Sequence, residues 1–285
     1  METTTVAVEG ATDLEARLRA LADWLAERER VAIGFSGGVD SAFLAVVARR
    51  TLGQQGVLAI IGRSASYPAE QWAAARRVAT EFDVPVLELD TDELNDPAYA
   101  ANPSNRCYFC KSELWTRLVP AARESGFLTV LDGTNADDLR DHRPGARAAI
   151  EHGVASPLAD LGFTKAAIRR ASRELGLPTW QQPSSPCLSS RIPYGTGVTR
   201  ERLGQIERAE AALRSLGIEG DLRVRYHDEL ARVELDPATL SKWMQPERLA
   251  VVCDAVANAG FERVAIDLRG FRSGSLNVLH GITPP

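Results

Sequence analysis

Leu14, Leu18, Leu21 and Leu25 recur at helical spacing with Trp24 alongside, which predicts an amphipathic helix over residues 13–29. Residues 31–35 then form a short apolar run of the kind a buried strand shows, and a glycine-bearing turn occupies 36–41. The pattern goes on to alternate. Helices are predicted at 42–50, 69–82 and 111–124, and strands at 57–61, 86–89 and 128–132. Short apolar strands alternating with helices predict an α/β fold: an open parallel sheet with helices on both faces and its active crevice at the carboxyl ends of the strands. Residues 178–197 interrupt this order with Pro178, Pro183, Pro186, Pro193, Gly195 and Gly197, so they read as a long loop. Beyond it, helices at 200–216 and 246–259 and strands at 222–226, 231–235 and 264–268 predict a smaller C-terminal α/β domain. Two domains result, 1–192 and 193–285, with no internal repeat.

The turn Ser36, Gly37, Gly38, Val39, Asp40, Ser41 lies between a predicted strand and a predicted helix. Such a junction presents free backbone N–H groups and the positive end of a helix dipole to an anion. Gly37 and Gly38 permit a sharp turn and close approach to phosphate oxygens, and Ser36 and Ser41 add hydroxyl donors. The turn has no lysine and does not match GxxxxGKS/T, so it is not a Walker A loop, and GxGxxG is absent as well. Gly133, Thr134, Asn135, Asp137 and Asp138 follow the fourth predicted strand, which in an open α/β sheet puts them beside the same turn. For Asp137, a place in a nucleotide or metal site and a plain helix-capping role weigh equally.

Cys107 and Cys110 form a CxxC, and Cys187 stands in the proline-rich loop. Thiols so spaced suit a soft metal or redox exchange. Three thiolates would hold a 4Fe-4S cluster with one iron left open to a non-protein ligand, whereas clusters more often use four cysteines. Zinc would need a fourth ligand that the sequence does not offer. Cys253, in an apolar run, is expected in the core.

Ser36 to Ser41 spell SGGVDS, which resembles the signature of the PP-loop ATP pyrophosphatases, the superfamily of GMP synthetase, NAD synthetase and argininosuccinate synthetase. The resemblance implies that a substrate oxygen attacks the α-phosphorus of ATP while this loop binds the departing pyrophosphate. Asp40 would then help hold Mg²⁺ among phosphate oxygens. Gly133 to Asp138 resemble the superfamily's GHNADD-type segment, with Gly133, Thr134 and Asn135 standing where the motif has Gly-His-Asn. Lys165, in FTKAAIRR, matches a lysine that approaches the ATP phosphates, and Arg63, just past the second strand, lies where adenine or ribose would sit.

NRCYFCK, DGTNADD with DHRPG, PCLSSRIPYG and IDLRGFRSGSLN together are similar to the LarE family, the ATP-dependent sulfur transferases that build the nickel-pincer nucleotide cofactor of lactate racemase. The similarity runs from about residue 13 to residue 278. It implies a pyridinium bis-carboxylate mononucleotide as small-molecule substrate, each carboxylate being adenylated and then attacked by sulfur. In some members one cysteine, matched by Cys187, gives up its sulfur and becomes dehydroalanine. In others three cysteines, matched by Cys107, Cys110 and Cys187, carry a 4Fe-4S cluster with an extra sulfide, and this second pattern is the one expected here. Arg191, Arg225 and Arg272, with Arg223, suit an anionic substrate. The family also implies a homo-oligomer and contact with other cofactor-maturation proteins.

Net charge of −5 and a pI near 5.5 argue against a large nucleic-acid footprint, which weakens the rival reading as a tRNA thiolation enzyme. An amide-forming ligase would leave the three cysteines unexplained, and a non-catalytic ATP sensor would release no pyrophosphate. The N-terminal residues lack a signal-peptide pattern and no apolar run approaches the roughly 20 residues of a membrane span, so the expected location is the cytosol, with no membrane partner.

Overall fold

The computed structural model describes residues 11–140, 144–183 and 186–272. In chain order the elements are α1 (Ala11–Ala26), β1 (Val31–Gly34), α2 (Val39–Leu52), β2 (Val57–Arg63), α3 (Ala69–Glu81), β3 (Val86–Asp90), α4 (Pro97–Ala100), α5 (Arg106–Glu124) and β4 (Thr129–Leu131). They continue with α6 (Pro144–Glu151), α7 (Pro157–Asp160), α8 (Lys165–Glu174), α9 (Arg200–Ser215), β5 (Leu222–His227), β6 (Leu230–Leu235), α10 (Pro237–Trp243), α11 (Pro246–Ala257) and β7 (Arg263–Ile266). Two compact units emerge. The first takes the described residues of Met1–Arg63, Ala69–Thr91 and Cys110–Ser184, and the second those of Ser64–Pro68, Asp92–Phe109 and Ser185–Pro285. The sequence puts its boundary at 192; the units divide at 184, and two short earlier segments belong to the second.

In the first unit four parallel strands lie in the order β3-β2-β1-β4. Val31, Ala32 and Ile33 of β1 are fully buried, as are Ala59, Ile60 and Ile61 of β2. Strands this apolar need cover on both faces. Helix α2 is buried from Phe43 to Ala48, so it is a core helix and not an amphipathic surface one. The strand order reverses about β1: the chain builds outward through β2 and β3, then returns to place β4 on β1's other side. The carboxyl ends of β1 and β4 therefore flank the switch point, where α/β sheets bind ligands.

Two element limits differ from the pattern-based expectation. Helix α5 starts at Arg106 and not at 111, so Cys107 and Cys110 lie in its first turns. Its opening residues, Arg106 to Cys110, precede the run from which the helix is expected; they are held by backbone bonds such as Arg106 N–H to Pro103 O (3.0 Å). Leu128 lies outside β4 and is 79% exposed, because the strand pairs only through Thr129, Val130 and Leu131 with β1.

The second unit contains a three-stranded sheet in the order β5-β6-β7, antiparallel between β5 and β6 and parallel between β6 and β7. Its two faces differ. Leu222, Val224, Ala231, Val233 and Leu235 are buried on the apolar face, while Arg223, Arg225 and Glu234 are buried on the other. Cys253 is only half-buried, which corrects its expected core position. Val252 and Val256 of α11 turn inward at an i, i+4 spacing, and Cys253 is one step off that stripe. Burial and the neighbouring Asp254 both push its thiol pKa up.

The segments 64–68 and 92–109 are bound into this unit by named bonds. Leu188 N–H donates to Ser66 O (2.8 Å), Val198 N–H to Ala100 O (2.8 Å), and Tyr99 Oη lies 2.6 Å from Ser189 Oγ. Asn102 is fully buried at φ 55°, a left-handed conformation that asparagine tolerates. Its Nδ2 donates to the carbonyls of Pro193 (2.7 Å) and Thr196 (2.9 Å), and its Oδ1 accepts from Arg106 (2.6 Å).

Glu234, 1% exposed, accepts from Arg225 at 2.8 Å and from Arg232 at 3.0 Å. Removing one partner from a buried charge cluster leaves uncompensated charge. Glu234→Ala is therefore expected to destabilise the fold by roughly 3–5 kcal/mol, seen as a lower urea midpoint. A loss no larger than about 1 kcal/mol, the worth of a solvated surface pair, would show the cluster to be solvent-screened.

Candidate active site

The crevice at the ends of β1 and β4 is built around one turn. Phe35 N–H donates to Ile60 O (2.8 Å), which carries β1's pairing one residue past its end. Ser36 and Ser41 then close the turn through their hydroxyls, 3.2 Å apart, and Ser41 Oγ also bonds Gly38 O at 3.2 Å. Gly37 has φ 70°, and a Cβ there would stand 2.7 Å from the Cα of Ala75. Both conformation and space require glycine. Gly38 is the N-cap of α2 and provides no side-chain cap. The first N–H groups of a buried helix are thus left uncapped by the N-cap residue, the arrangement that takes an anion.

Gly133 is brought directly onto this turn: a Cβ on it would come within 2.9 Å of Ser41 N. Asp132, 8% exposed, shapes the segment by accepting from Thr134 N–H (3.0 Å), Thr134 Oγ1 (2.7 Å) and Ser156 Oγ (2.8 Å). Asn135 is buried and its Oδ1 accepts from Asp137 N–H (2.9 Å) and Asp138 N–H (3.2 Å). The DHR of the following motif (residues 141–143) lies outside the described residues.

Lys165 opens α8, and its ammonium stands 2.5 Å from Asp40 Oδ2. Residues 125 positions apart thus meet at the mouth of the phosphate-type turn. The other oxygen, Asp40 Oδ1, is buried with no hydrogen-bond partner among the described residues. An orphaned carboxylate oxygen beside an open helix N-terminus fits a hard divalent cation shared with phosphate. Arg63, at the end of β2, is half-exposed, pairs with Glu88 at 3.3 Å and lies 5.1 Å from the Trp72 ring.

In the second unit Cys187 precedes a short 3-10 turn, Leu188–Arg191, and is half-exposed. Arg191 is buried and holds this turn: it donates to Pro186 O (2.5 Å) and Cys187 O (3.1 Å) and forms a two-pronged pair with Glu210 (3.0 Å each). Arg225 donates to Ser190 O (3.0 Å) as well as to Glu234. Arg223 lies between them, and its pKa falls to about 10 because it is buried and because Arg191 repels it. Arg272 is exposed, and the GFRSGSLN motif beyond it lies outside the described residues. Arg106 is 5% exposed with Nε unpartnered among the described residues. Burial works to lower its pKa, but the nearby Cys187 and Cys107 raise it further, with help from Tyr194 and Tyr99.

Cys107 is exposed, and Cys110 and Cys187 are half-exposed. Three thiols suit an iron–sulfur centre in kind. Among the described residues, however, no group of three or more His, Cys, Asp or Glu side chains is gathered closely enough to hold a metal ion. Motif reading did not single out Asp132, Arg106, Glu210 or Glu234. Asp132 carried a signal, an acid closing a buried strand ahead of Gly-Thr, whereas the acids that pair with Arg191 and Arg225 carried none.

Comparison with known proteins places this geometry. Residues 14–117 match the NAD synthase family. An uncharacterized Synechocystis protein is 45% identical over 264 residues, spanning 93% of this chain and 98% of its own. The pyridinium-3,5-bisthiocarboxylic acid mononucleotide synthase of Lactiplantibacillus plantarum is 36% identical over 257 residues, spanning 89% of this chain and 91% of its own. The glutamine-hydrolyzing GMP synthase of Thermobifida fusca is 26% identical, across 87% of this chain but only 57% of its own. The NAD synthase match spans the phosphate-type turn, whereas the Synechocystis and Lactiplantibacillus matches run along nearly the whole of this chain and of their own. On that end-to-end identity, the chain belongs to the LarE family of ATP-dependent sulfurtransferases, a branch of the PP-loop ATP pyrophosphatases.

Proposed function

We propose that the protein converts the two carboxylates of a pyridinium bis-carboxylate mononucleotide into thiocarboxylates on the route to the nickel-pincer cofactor. The observation that carries this is the 36% identity to the Lactiplantibacillus synthase across most of both chains. A substrate carboxylate oxygen attacks the α-phosphorus of ATP, the bond to the β-phosphate oxygen breaks, and pyrophosphate leaves. Sulfur then attacks the acyl carbon and displaces AMP, a good leaving group.

Each part of the machinery has an assigned task in this reading. Ser36, Gly37, Gly38, Val39 and Ser41 receive the pyrophosphate on backbone N–H groups and hydroxyls, supported by the α2 dipole. Asp40 holds Mg²⁺ through its free oxygen, and Lys165 balances the charge that develops on the leaving phosphates. Gly133, Thr134, Asn135 and Arg63 border the nucleoside. Arg272 meets the substrate's anionic groups. Arg191 and Arg225 serve the substrate through the Cys187 turn whose carbonyls they grip. The protein works in the cytosol as a homo-oligomer, alongside other cofactor-maturation proteins and without nucleic acid.

The sulfur comes by way of Cys107, Cys110 and Cys187. A 4Fe-4S cluster on these three thiolates would supply, when bound, a hydrosulfide nucleophile at its open iron. Arg106 supports this placement, since both Cys107 and Cys187 act on its charge within the second unit. In a second reading Cys187, whose carbonyl Arg191 grips, itself attacks the acyl adenylate and its Cβ–S bond then breaks, leaving dehydroalanine.

Protein purified without oxygen is expected to carry about four iron and four sulfide per chain, and Cys107→Ser to lose them. Iron-free protein in which one turnover removes H₂S from Cys187, read by mass spectrometry, would replace the cluster by the sacrificial route. Full thiocarboxylate formation by Cys187→Ala would exclude both. Gly37→Ala is expected to weaken MgATP binding at least tenfold by calorimetry, because a β-carbon is strained there by roughly 1–2 kcal/mol and collides with Ala75. Unchanged affinity would move the pyrophosphate elsewhere.

A further inference from the structure

The N-termini of α2 and α8 both lie at the first unit's crevice, and they are closed differently. The first turn of α2 has no side-chain cap. That of α8 is closed twice: Thr164 Oγ1 accepts from Ala167 N–H (3.1 Å), and Asp137 Oδ2 accepts from the backbone N–H of Lys165 (2.7 Å). The second bond is tertiary, reaching 28 residues along the chain. Beside it, Ala136 N–H donates to Phe163 O (2.9 Å), so residues 136–137 and 163–165 are pinned by two bonds. Asp137 is itself set by Asn135, whose buried Oδ1 receives its N–H at 2.9 Å.

The pinned backbone is that of Lys165, whose ammonium meets Asp40. Lysine brings several rotatable bonds, so a fixed Cα is what makes one ammonium position favourable over many. The backbone bond supplies that anchor.

We propose that Asp137 is a positioning residue for the ATP step: its carboxylate holds the α8 N-terminus so that the Lys165 ammonium stands over Asp40 at the phosphate turn. This rests on the assignment of Lys165 to the ATP phosphates. Asp137 acts here as a hydrogen-bond acceptor and not as a metal ligand, which separates the two roles chemically. An asparagine oxygen accepts the same N–H bond but is a weak ligand for Mg²⁺.

The experiment compares wild type, Asp137→Asn, Asp137→Ala, Lys165→Ala and the Asp137→Ala/Lys165→Ala double variant. Pyrophosphate release with ATP and the pyridinium substrate is measured beside MgATP affinity by calorimetry. Misplacement of a positioned group by about 1 Å costs on the order of a hundredfold. Asp137→Ala is expected to lower kcat for pyrophosphate release by about 10–100-fold, with Asp137→Asn retaining most of the rate at unaltered Mg²⁺ dependence. In the Lys165→Ala background the second substitution is expected to cost little more, because its effect passes through the lysine. Equal damage from Asn and Ala, with a raised Mg²⁺ requirement, would make Asp137 a metal ligand and overturn the proposal. Full additivity with Lys165→Ala would overturn it as well. If wild type releases no pyrophosphate with this substrate, the substrate assignment fails. The same comparison is then read on MgATP affinity, where the Asp137→Ala loss must again vanish without Lys165.

Discussion

The uncapped start of α2 is the constraint from which the first unit's design follows. A buried helix whose N-cap offers no side chain leaves its first N–H groups to be met by an anion or water. Everything around the turn keeps that end open. Gly38 withholds a capping side chain, Gly37 turns the chain away at a positive φ, and the Ser36 and Ser41 hydroxyls bond within the turn. Gly133 lets the β4 segment come up against Ser41 without filling the space in front. The neighbouring helix α8 is capped by protein groups and lends a lysine instead of a dipole.

The second unit solves a different problem, the burial of charge. Arg191, Arg225 and Arg232 are set against Glu210, Glu234 and Asp267 on the polar side of a small sheet. Burial tends to raise the Asp267 pKa, yet hydrogen bonds from Arg269 and the charges of Arg269 and Arg232 hold it down. Such networks are weak sources of net stability but impose strict geometry. Here the geometry is passed to the Cys187 segment, since Arg191 ends on the carbonyl of Cys187 and Arg225 on that of Ser190. A thiol on a glycine- and proline-rich segment would otherwise wander. The same Arg191 that looks like a substrate ligand in sequence is thus engaged first in holding that turn.

Much of the fold was legible because its strands are short, apolar and regularly spaced, and because a parallel sheet makes those strands unusually hydrophobic. The phosphate turn was legible for a sharper reason: two glycines flanked by serines leave few other backbone geometries. What escaped was set by contacts distant in sequence. The start of α5 at Arg106 depends on Asn102 and not on apolar period. Cys253 sits in an apolar run yet misses the buried stripe by one residue. Asp137 gave equal support to two readings because a carboxylate near a helix start is ambiguous until its acceptor geometry is seen.

The discontinuity of the second unit has a consequence for synthesis. Asn102 reaches the carbonyl of Pro193 across 91 residues, and Tyr99 meets Ser189 across 90. On the ribosome the segment 92–109 therefore emerges long before the chain that will enclose it. Buried Asn102, with its left-handed backbone and several polar atoms, must stay hydrated through that interval, and the start of the CxxC helix stays unanchored with it. Loop closure over such a distance costs little more than over half of it, so the delay is one of order and not of energy. Nascent chains stalled before residue 187 would carry Cys107 and Cys110 with the partners of Asn102 and Tyr99 still to be made.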